Sequence, residues 1–271
     1  MQHHRVKPGH RVDLEKHDPG DTGDYKVESE AASRINGLRQ KLDALQERLY
    51  AEGTRALLVV LQGIDTAGKD GAIRHVMSGI NPQGCIVTPF KTPTPREEAH
   101  DFLWRAHAAC PPRGYIGIFN RSHYEEVLIT RVHHLIADKV AERRLQAIRD
   151  FEAALTNDGT RILKFFLHIS KDEQKARLLA RVDDANKHWK INPADLGERR
   201  YWDAYQTAFE QALSATSTDD APWFVVPANH KWYRDLVIAQ QVVNALEDMD
   251  PRPPKLADID WTKLRQDVLE S

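Results

Sequence analysis

Ala56-Leu57-Leu58-Val59-Val60-Leu61-Gln62 runs directly into Gly63-Ile64-Asp65-Thr66-Ala67-Gly68-Lys69-Asp70-Gly71. The first part is a short apolar run rich in leucine and valine, the pattern of a strand buried on both faces, as in a parallel sheet. The second has the spacing G-x-x-x-x-G-K, the frame of a P-loop. Glycines let the backbone turn its N–H groups inward onto phosphate oxygens. The helix that follows presents its positive end to the same anion, and Lys69 adds a point charge. Thr66, Ala67, Gly68, Lys69, Asp70 and Gly71 are therefore the candidate phosphate cradle. A plain glycine turn with a solvent-facing lysine is the competing explanation, and the strand–loop–helix context argues against it.

The position after the lysine is ordinarily Ser or Thr, whose hydroxyl binds magnesium; here it is Asp70, with Asp65 inside the loop. Two carboxylates in a phosphate nest repel the ligand unless a divalent cation lies between them, and Mg²⁺, with its preference for oxygen ligands, fits. Asp65 is the preferred metal ligand or phosphate-orienting group, and Asp70 has the alternative of capping the helix.

Working outward, further strand candidates are Cys85 to Thr88, Tyr115 to Phe119, Ile162 to Ile169 and Trp223 to Val226. Helical periodicity marks Glu30 to Ala51, Glu97 to Ala109, Lys139 to Leu155, Asp172 to Arg181, Arg199 to Leu213 and Trp232 to Leu246. Strands alternating with helices give an α/β fold with a mainly parallel, five-stranded sheet. The expected organisation is an N-terminal arm over 1–29, one phosphotransferase-like domain over 30–250, and a C-terminal extension over 251–271. Histidines of the arm (His3, His4, His10, His17) lack metal-ligand spacing, and Cys85 and Cys110 cannot frame a disulfide scaffold, which points to a reducing cytoplasm.

In open α/β sheets ligands bind beyond the carboxyl ends of strands, so the segment Asn120-Arg121-Ser122-His123-Tyr124-Glu125-Glu126 is expected to face the P-loop. Arg121 suits bidentate phosphate binding. Glu125 and Glu126 offer negative charge where many P-loop proteins place a metal-binding Asp. Lys91 and Thr92, after the second strand, join Asn120, Arg121, Glu126 and Lys187 as candidate nucleotide contacts. Arg177 and Arg181 share a helix face and lead into the basic loop Asn186-Lys187-His188-Trp189-Lys190, the pattern of a mobile lid over about 172–200. The competing view is an exposed helix whose arginines pair with Asp172, Glu173 and Asp183.

Over its 271 residues the chain is 41% hydrophobic and 29% charged, which excludes a disordered chain. Its net charge of −2 argues against a general nucleic-acid coat protein. No apolar run is long enough to span a membrane. Between Arg161 and Arg200, however, ten Lys/Arg stand against six Asp/Glu, consistent with either an anion site or a solvated face.

Gly63-x-Asp65-x-x-Gly68-Lys69-Asp70-Gly71, Asp101-Phe102-Leu103-Trp104-Arg105, Phe119-Asn120-Arg121-Ser122-His123-Tyr124-Glu125, Lys187-x-Trp189-Lys190 and Asn229-His230-Lys231, in this order, resemble the polyphosphate kinase 2 family. The resemblance spans roughly Leu38 to Leu246. It implies a P-loop kinase-like, thymidylate-kinase-like three-layer fold with a helical lid. It also implies Mg²⁺-dependent phosphoryl transfer (Mn²⁺ as substitute) between inorganic polyphosphate and adenine or guanine nucleotides. By the same carry-over, Asp65, Lys69 and Arg121 belong to the catalytic centre and Arg177 and Arg181 to the lid, and the expected assembly is a homo-oligomer; the metal falls to Asp65 from the loop chemistry, with Glu125 or else Glu126 as its second ligand. Most members have Asp where this chain has Asn120, and the Asn-Arg-Ser-His-Tyr-Glu variant resembles the subgroup that phosphorylates both nucleoside mono- and diphosphates. The rival expectations are an ATP-dependent nucleoside monophosphate kinase and a non-enzymatic nucleotide or polyanion switch.

Overall fold

The computed structural model describes residues 4–256 and 259–271; His3 of the arm lies outside the described residues. The elements run α1 (Glu28–Glu52), β1 (Ala56–Gln62), α2 (Lys69–Val76), β2 (Cys85–Pro89), α3 (Pro95–Glu98), α4 (Trp104–Ala109), β3 (Ile116–Asn120), α5 (Ile129–Val132), α6 (Asp138–Asn157), β4 (Thr160–His168), α7 (Lys171–Val182), α8 (Ala194–Glu198), α9 (Trp202–Thr216), β5 (Trp223–Pro227), α10 (Lys231–Met249) and α11 (Trp261–Glu270).

The five strands form one sheet in the order β2-β3-β1-β4-β5, and its pairings are all parallel. β1 is buried along its whole length. Because side chains alternate across a strand, Leu57, Val59 and Leu61 join a core with α1, α2 and α10, while Leu58 and Val60 join a second core with α6 and α9. Two apolar layers on one sheet make three layers. Each fully buried Leu, Val or Phe contributes about 1.5–3 kcal/mol, so β1, feeding both cores, is a rigid base for the loop at its end.

That end is the key position. β1 is central, with β3 on one side and β4 on the other, so the chain diverges at its carboxyl edge and leaves a crevice there. Gly63 begins in that crevice, Arg121 leaves β3 beside it, and Ser170 leaves β4 on the other flank.

One sequence-based boundary shifts, and two further expectations acquire a structural account. The helix expected over Glu97 to Ala109 is two short helices, α3 and α4. A capping box on Thr94 and Glu97 starts the first, and an Asp101 carboxylate accepting the Leu103 N–H at 2.9 Å starts the second. The N-terminal arm is no loose tail: Val6, Val12 and Leu14 are buried in the second core, and Val6 N–H donates to the Trp223 carbonyl at 2.8 Å. It thereby closes the open edge of β5, which otherwise invites pairing by another chain. Asp70 does not cap α2. The N-cap is Gly68, and the Asp70 carboxylate instead accepts a hydrogen bond from Asn120 Nδ2 at 2.7 Å.

Candidate active site

The loop Gly63–Gly68 is held in a conformation that few residues tolerate. Gly63 and Gly68 have φ of 154° and 102°, and Thr66, a β-branched residue, has φ of 68°. Left-handed backbone at such a residue costs about 1–2 kcal/mol, and strain of this kind concentrates at functional sites. The Thr66 hydroxyl is buried without a hydrogen-bond partner. Ala67, a candidate cradle donor, instead spends its N–H on the Ile64 carbonyl at 3.1 Å, so the first turn of α2 supplies the free donors.

Lys69 is buried and folded back onto the loop, where Nζ donates to the Gly63 carbonyl at 2.6 Å and the Ile64 carbonyl at 3.3 Å. Burial, assisted by the Arg121 charge, brings its ammonium down to about 8. A lowered value leaves the cation intact below pH 8 and removes it above. Affinity for inorganic polyphosphate, whose internal phosphates keep their charge, is therefore expected to be level up to pH about 8 and to fall as pH rises further. Titration calorimetry across this range checks it; affinity that stays level above pH 9 or so contradicts a charged Lys69 at the anion.

Beneath the loop lie two arginines. Arg234, fully buried, donates from Nε and Nη2 to Asp235 Oδ1 at 2.8 and 2.6 Å. Its Nη1 lies so close that a Cβ on Gly68 would meet it at 2.1 Å. Arg177, expected on the mobile lid, is instead fixed: Nη1 donates to the carbonyls of Thr66 and Ala67 at 2.9 and 3.0 Å. Its Nη2 donates to those of Ala228 and Asn229 at 2.5 and 3.0 Å, and Nε to Glu173 at 2.7 Å. The planar fork thus staples the P-loop to the segment after β5. Arg177→Ala leaves four carbonyls without this donor and is expected to cost about 2–4 kcal/mol. That corresponds to a thermal midpoint lower by roughly 5–15 °C, and Arg177→Lys is expected to rescue little of it. Calorimetric melting measures both.

Across the crevice, Arg121 also adopts left-handed backbone, with φ of 62°, and its N–H donates to the Leu61 carbonyl at 3.0 Å. Its guanidinium meets the Asp65 carboxylate at 2.5 Å. Burial opposes charge on Arg121, but Glu125 and Asp65 outweigh it and hold the group above its ordinary range. Glu125 is pushed up, chiefly by burial, against the pull of Arg121 and Lys69. Gln62 at the end of β1 spans the same turn. With its amide nitrogen toward Glu125 it donates to Oε1 at 3.0 Å and accepts from Ser122 Oγ at 3.0 Å.

Two cavities meet at these residues. One, about 690 Å³, is lined by Phe90, Lys91, Thr92, Phe102, Arg105 and Glu126, among others. The other, about 200 Å³, runs along Gly63, Ile64 and Asp65 under the base of the lid, Gln174, Arg199 and Trp202. Arg121, Glu125 and Ile129 line both. The structure thus gathers Asp65, Lys69, Arg121 and Glu125, with Lys91, Thr92 and Glu126 in the larger cavity. It does not bring Lys187 there: its ammonium pairs with Asp184 at 2.7 Å. Arg181 lies on the exposed part of α7, donating to the Lys190 carbonyl at 3.2 Å, and Asn120 is occupied with Asp70.

Sequence reading missed the clamp on Glu126, which pairs with Arg105 at 3.1 Å and Arg144 at 3.3 Å. Arg144 stands on the second turn of α6, where nothing in the periodicity sets it apart from its neighbour Arg143. Arg234 was equally hidden in the apolar pattern of α10, though it follows Asn229-His230-Lys231 by a single helical turn.

The lid base is tied in by Gln174, whose amide donates to the Asp65 carbonyl at 3.3 Å and accepts from Arg199 at 2.7 Å. The Glu198 carboxylate accepts from Tyr205 at 2.8 Å and lies 3.0 Å from His133 Nε2. Between these anchors Trp189 is 78% exposed.

Known proteins resemble this chain over nearly its whole length. The chain is 48% identical over 256 residues to the AMP/ADP-polyphosphate phosphotransferase of Meiothermus ruber, covering 94% of this chain and 96% of that one. It is 45% identical to the ADP-polyphosphate phosphotransferase of Rhodopseudomonas palustris, covering 93% and 91%. The crystal structure of polyphosphate kinase 2 from Arthrobacter aurescens superposes with a TM-score of 0.95 at 46% identity, over 100% of this chain and 96% of that one. The three-layer architecture is thus a P-loop kinase-like fold. The sequence model of the family described as polyphosphate kinase 2 matches residues 26–254, from the start of α1 past the end of α10. With a family model over residues 26–254 and relatives 45% and 48% identical over more than nine-tenths of its length, the chain belongs to the polyphosphate kinase 2 family.

Proposed function

We propose that the chain transfers a phosphoryl group from inorganic polyphosphate to nucleoside mono- and diphosphates, AMP and ADP first and their guanine counterparts as the alternative base. The observation that carries this is the pair of cavities sharing Arg121 and Glu125 at the carboxyl edge of β1, one beside the P-loop and one of nucleotide size. The donor end lies on the loop, its charge offset by Lys69 and the N–H groups of α2. The acceptor lies in the larger cavity beside Phe90, Lys91 and Thr92.

An acceptor phosphate oxygen attacks the terminal phosphorus in line; a new P–O bond forms as the bridging P–O bond to the shortened polyphosphate breaks. Because the acceptor is already anionic, no strong base is required. The barrier is the approach of two anions, so catalysis is positioning and positive charge. Arg121 stands where both cavities meet and neutralises charge on donor and acceptor together. Arg181 and the lid basic residues add to it on closure.

The oxygen donors of Asp65 and Glu125 suit Mg²⁺, with Mn²⁺ as substitute. Among the described residues no three or more His, Cys, Asp or Glu side chains gather as a metal site, so in this reading the ion would complete its shell from phosphates and water. When bound, such an ion supplies charge neutralisation at the phosphate oxygens. Assembly as a homo-oligomer and a cytoplasmic setting belong to the same proposal; among the described residues no helix is long and apolar enough to cross a membrane.

The test is nucleotide conversion with Mg²⁺, polyphosphate, and AMP or ADP supplied separately. The expected result is ADP and ATP from AMP, and ATP from ADP beyond what a polyphosphate-free control gives by disproportionation. Product formed only when ATP replaces polyphosphate overturns the donor assignment.

A further inference from the structure

The turn His123–Val127 that carries Glu125 has a second face, directed away from the crevice. There Tyr124, fully buried, places its hydroxyl 2.8 Å from Glu152 Oε1 on α6, 2.8 Å from Thr216 Oγ1 at the end of α9 and 3.1 Å from Lys164 Nζ on β4. Lys164 also bonds the Glu152 carboxylate and donates to the Thr216 carbonyl at 2.7 Å. Trp223 Nε1 completes the set on Thr216 Oγ1 at 2.8 Å. The His123 ring, next in the turn, lies 3.5 Å from Glu152 and edge-on to Phe151. None of these side chains lines either cavity that Arg121 and Glu125 share.

An ion pair inside an apolar core is a poor stabiliser: the desolvation of both charges commonly exceeds their attraction, and apolar replacements of like volume are often neutral or better. Stability therefore gives no sufficient reason for Lys164 and Glu152 to sit amid Phe119, Phe151, Phe166 and Trp223. What the pair provides, and apolar packing does not, is direction. Lys164 Nζ and Glu152 fix the Tyr124 hydroxyl from two elements at once, and Thr216 fixes it from a third. Tyr124 is the immediate neighbour of Glu125 and lies three residues from Arg121, in a turn whose start is itself fixed by Ser122 Oγ accepting the Tyr124 N–H at 3.2 Å. A shift of Tyr124 moves both.

We propose that the buried Lys164–Glu152 pair is a positioning device for phosphoryl transfer, holding the Tyr124 hydroxyl and through it the placement of Arg121 and Glu125 against the P-loop. The inference rests on the reading of Arg121 and Glu125 as site groups. Misplacement by about 1 Å costs on the order of a hundredfold in rate; a turn loosened at one hydroxyl is expected to lose roughly tenfold in kcat.

Tyr124→Phe removes only the hydroxyl. In it, kcat is expected to fall about tenfold, while KM for polyphosphate and nucleotide stays within about twofold. The double variant Lys164→Met/Glu152→Leu is expected to melt at or above the wild-type midpoint and still show the loss in kcat, a combination that a merely structural role does not produce. Wild-type kcat, within about twofold, in folded Tyr124→Phe overturns the proposal, as does a loss fully accounted for by the unfolded fraction. Should the double variant fail to fold, Tyr124→Phe decides alone. The wild-type protein runs alongside: if it shows no polyphosphate-dependent transfer, the reading of the site falls; if it is active and Tyr124→Phe matches it, only the positioning role falls.

Discussion

Lys69→Met is expected to lower polyphosphate-driven turnover by about a hundredfold or more while leaving the fold intact. Methionine keeps the unbranched stem and the packing but removes the charge, so the comparison isolates the cation. The carboxylates of Asp65, Glu125 and Asp70 act on that cation only through space, and its hydrogen bonds go to the Gly63 and Ile64 carbonyls, neither of which is an anion. Its full electrostatic value is realised when phosphate oxygens replace them, and more so as charge redistributes in the transition state. The loss should therefore fall mainly on kcat.

Stability should move the other way. With its folded value lowered to about 8, below the unfolded one, the charged lysine burdens the native state at neutral pH. Between these two values the unfolded chain binds more protons, so wild-type stability rises with pH there and the gap to Lys69→Met narrows. Thermal melting at neutral pH, with the variant level with wild type or above it, would separate lost charge from lost structure. Near-wild-type turnover in this variant would sink the assignment of Lys69.

The parts of this molecule that could be read from sequence are those where local chemistry is forced. A β-branched and leucine-rich run can be buried on both faces in few ways, and a loop that turns at Gly63 and Gly68 needs glycine at both. Arg121 was legible because strand β3 had to end beside it. Arg177 was found for its helix spacing and misplaced for the same reason: spacing shows that it shares a face with Arg181, but not that the face turns down onto the Thr66 and Ala67 carbonyls. The contact that replaces a cap at Asp70 could not be read locally, because its partner, Asn120, is 50 residues away at the end of β3 while Asp70 lies on α2. Glu152, Lys164 and Thr216 were invisible altogether. Each lies on a different element, and only the packed tertiary structure brings their polar atoms onto one hydroxyl.

Arg121→Ala is expected to reduce turnover by about a thousandfold, a larger loss than at any other single position outside the P-loop. Removing this guanidinium has two effects at once. It takes away the cation that both cavities share. It also leaves Asp65 without the partner at 2.5 Å and Glu125 without the charge that opposes its burial. Glu125, already pushed up, then rises further, because Arg121 leads the groups that pull it down. A second pH dependence follows. In the variant, a carboxylate that must ionise to serve the site does so at higher pH, so the acidic limb of residual activity should move toward neutrality relative to wild type. Arg121→Lys keeps a charge but not the fork, and a compact ammonium cannot engage Asp65 and an acceptor phosphate together. It should recover part of the lost kcat and restore the position of the acidic limb. The pH–rate profiles of wild type, Arg121→Ala and Arg121→Lys test both effects. An acidic limb unmoved in Arg121→Ala would show that Glu125 is not the group it reports, and turnover within about tenfold of wild type would remove Arg121 from the transfer itself.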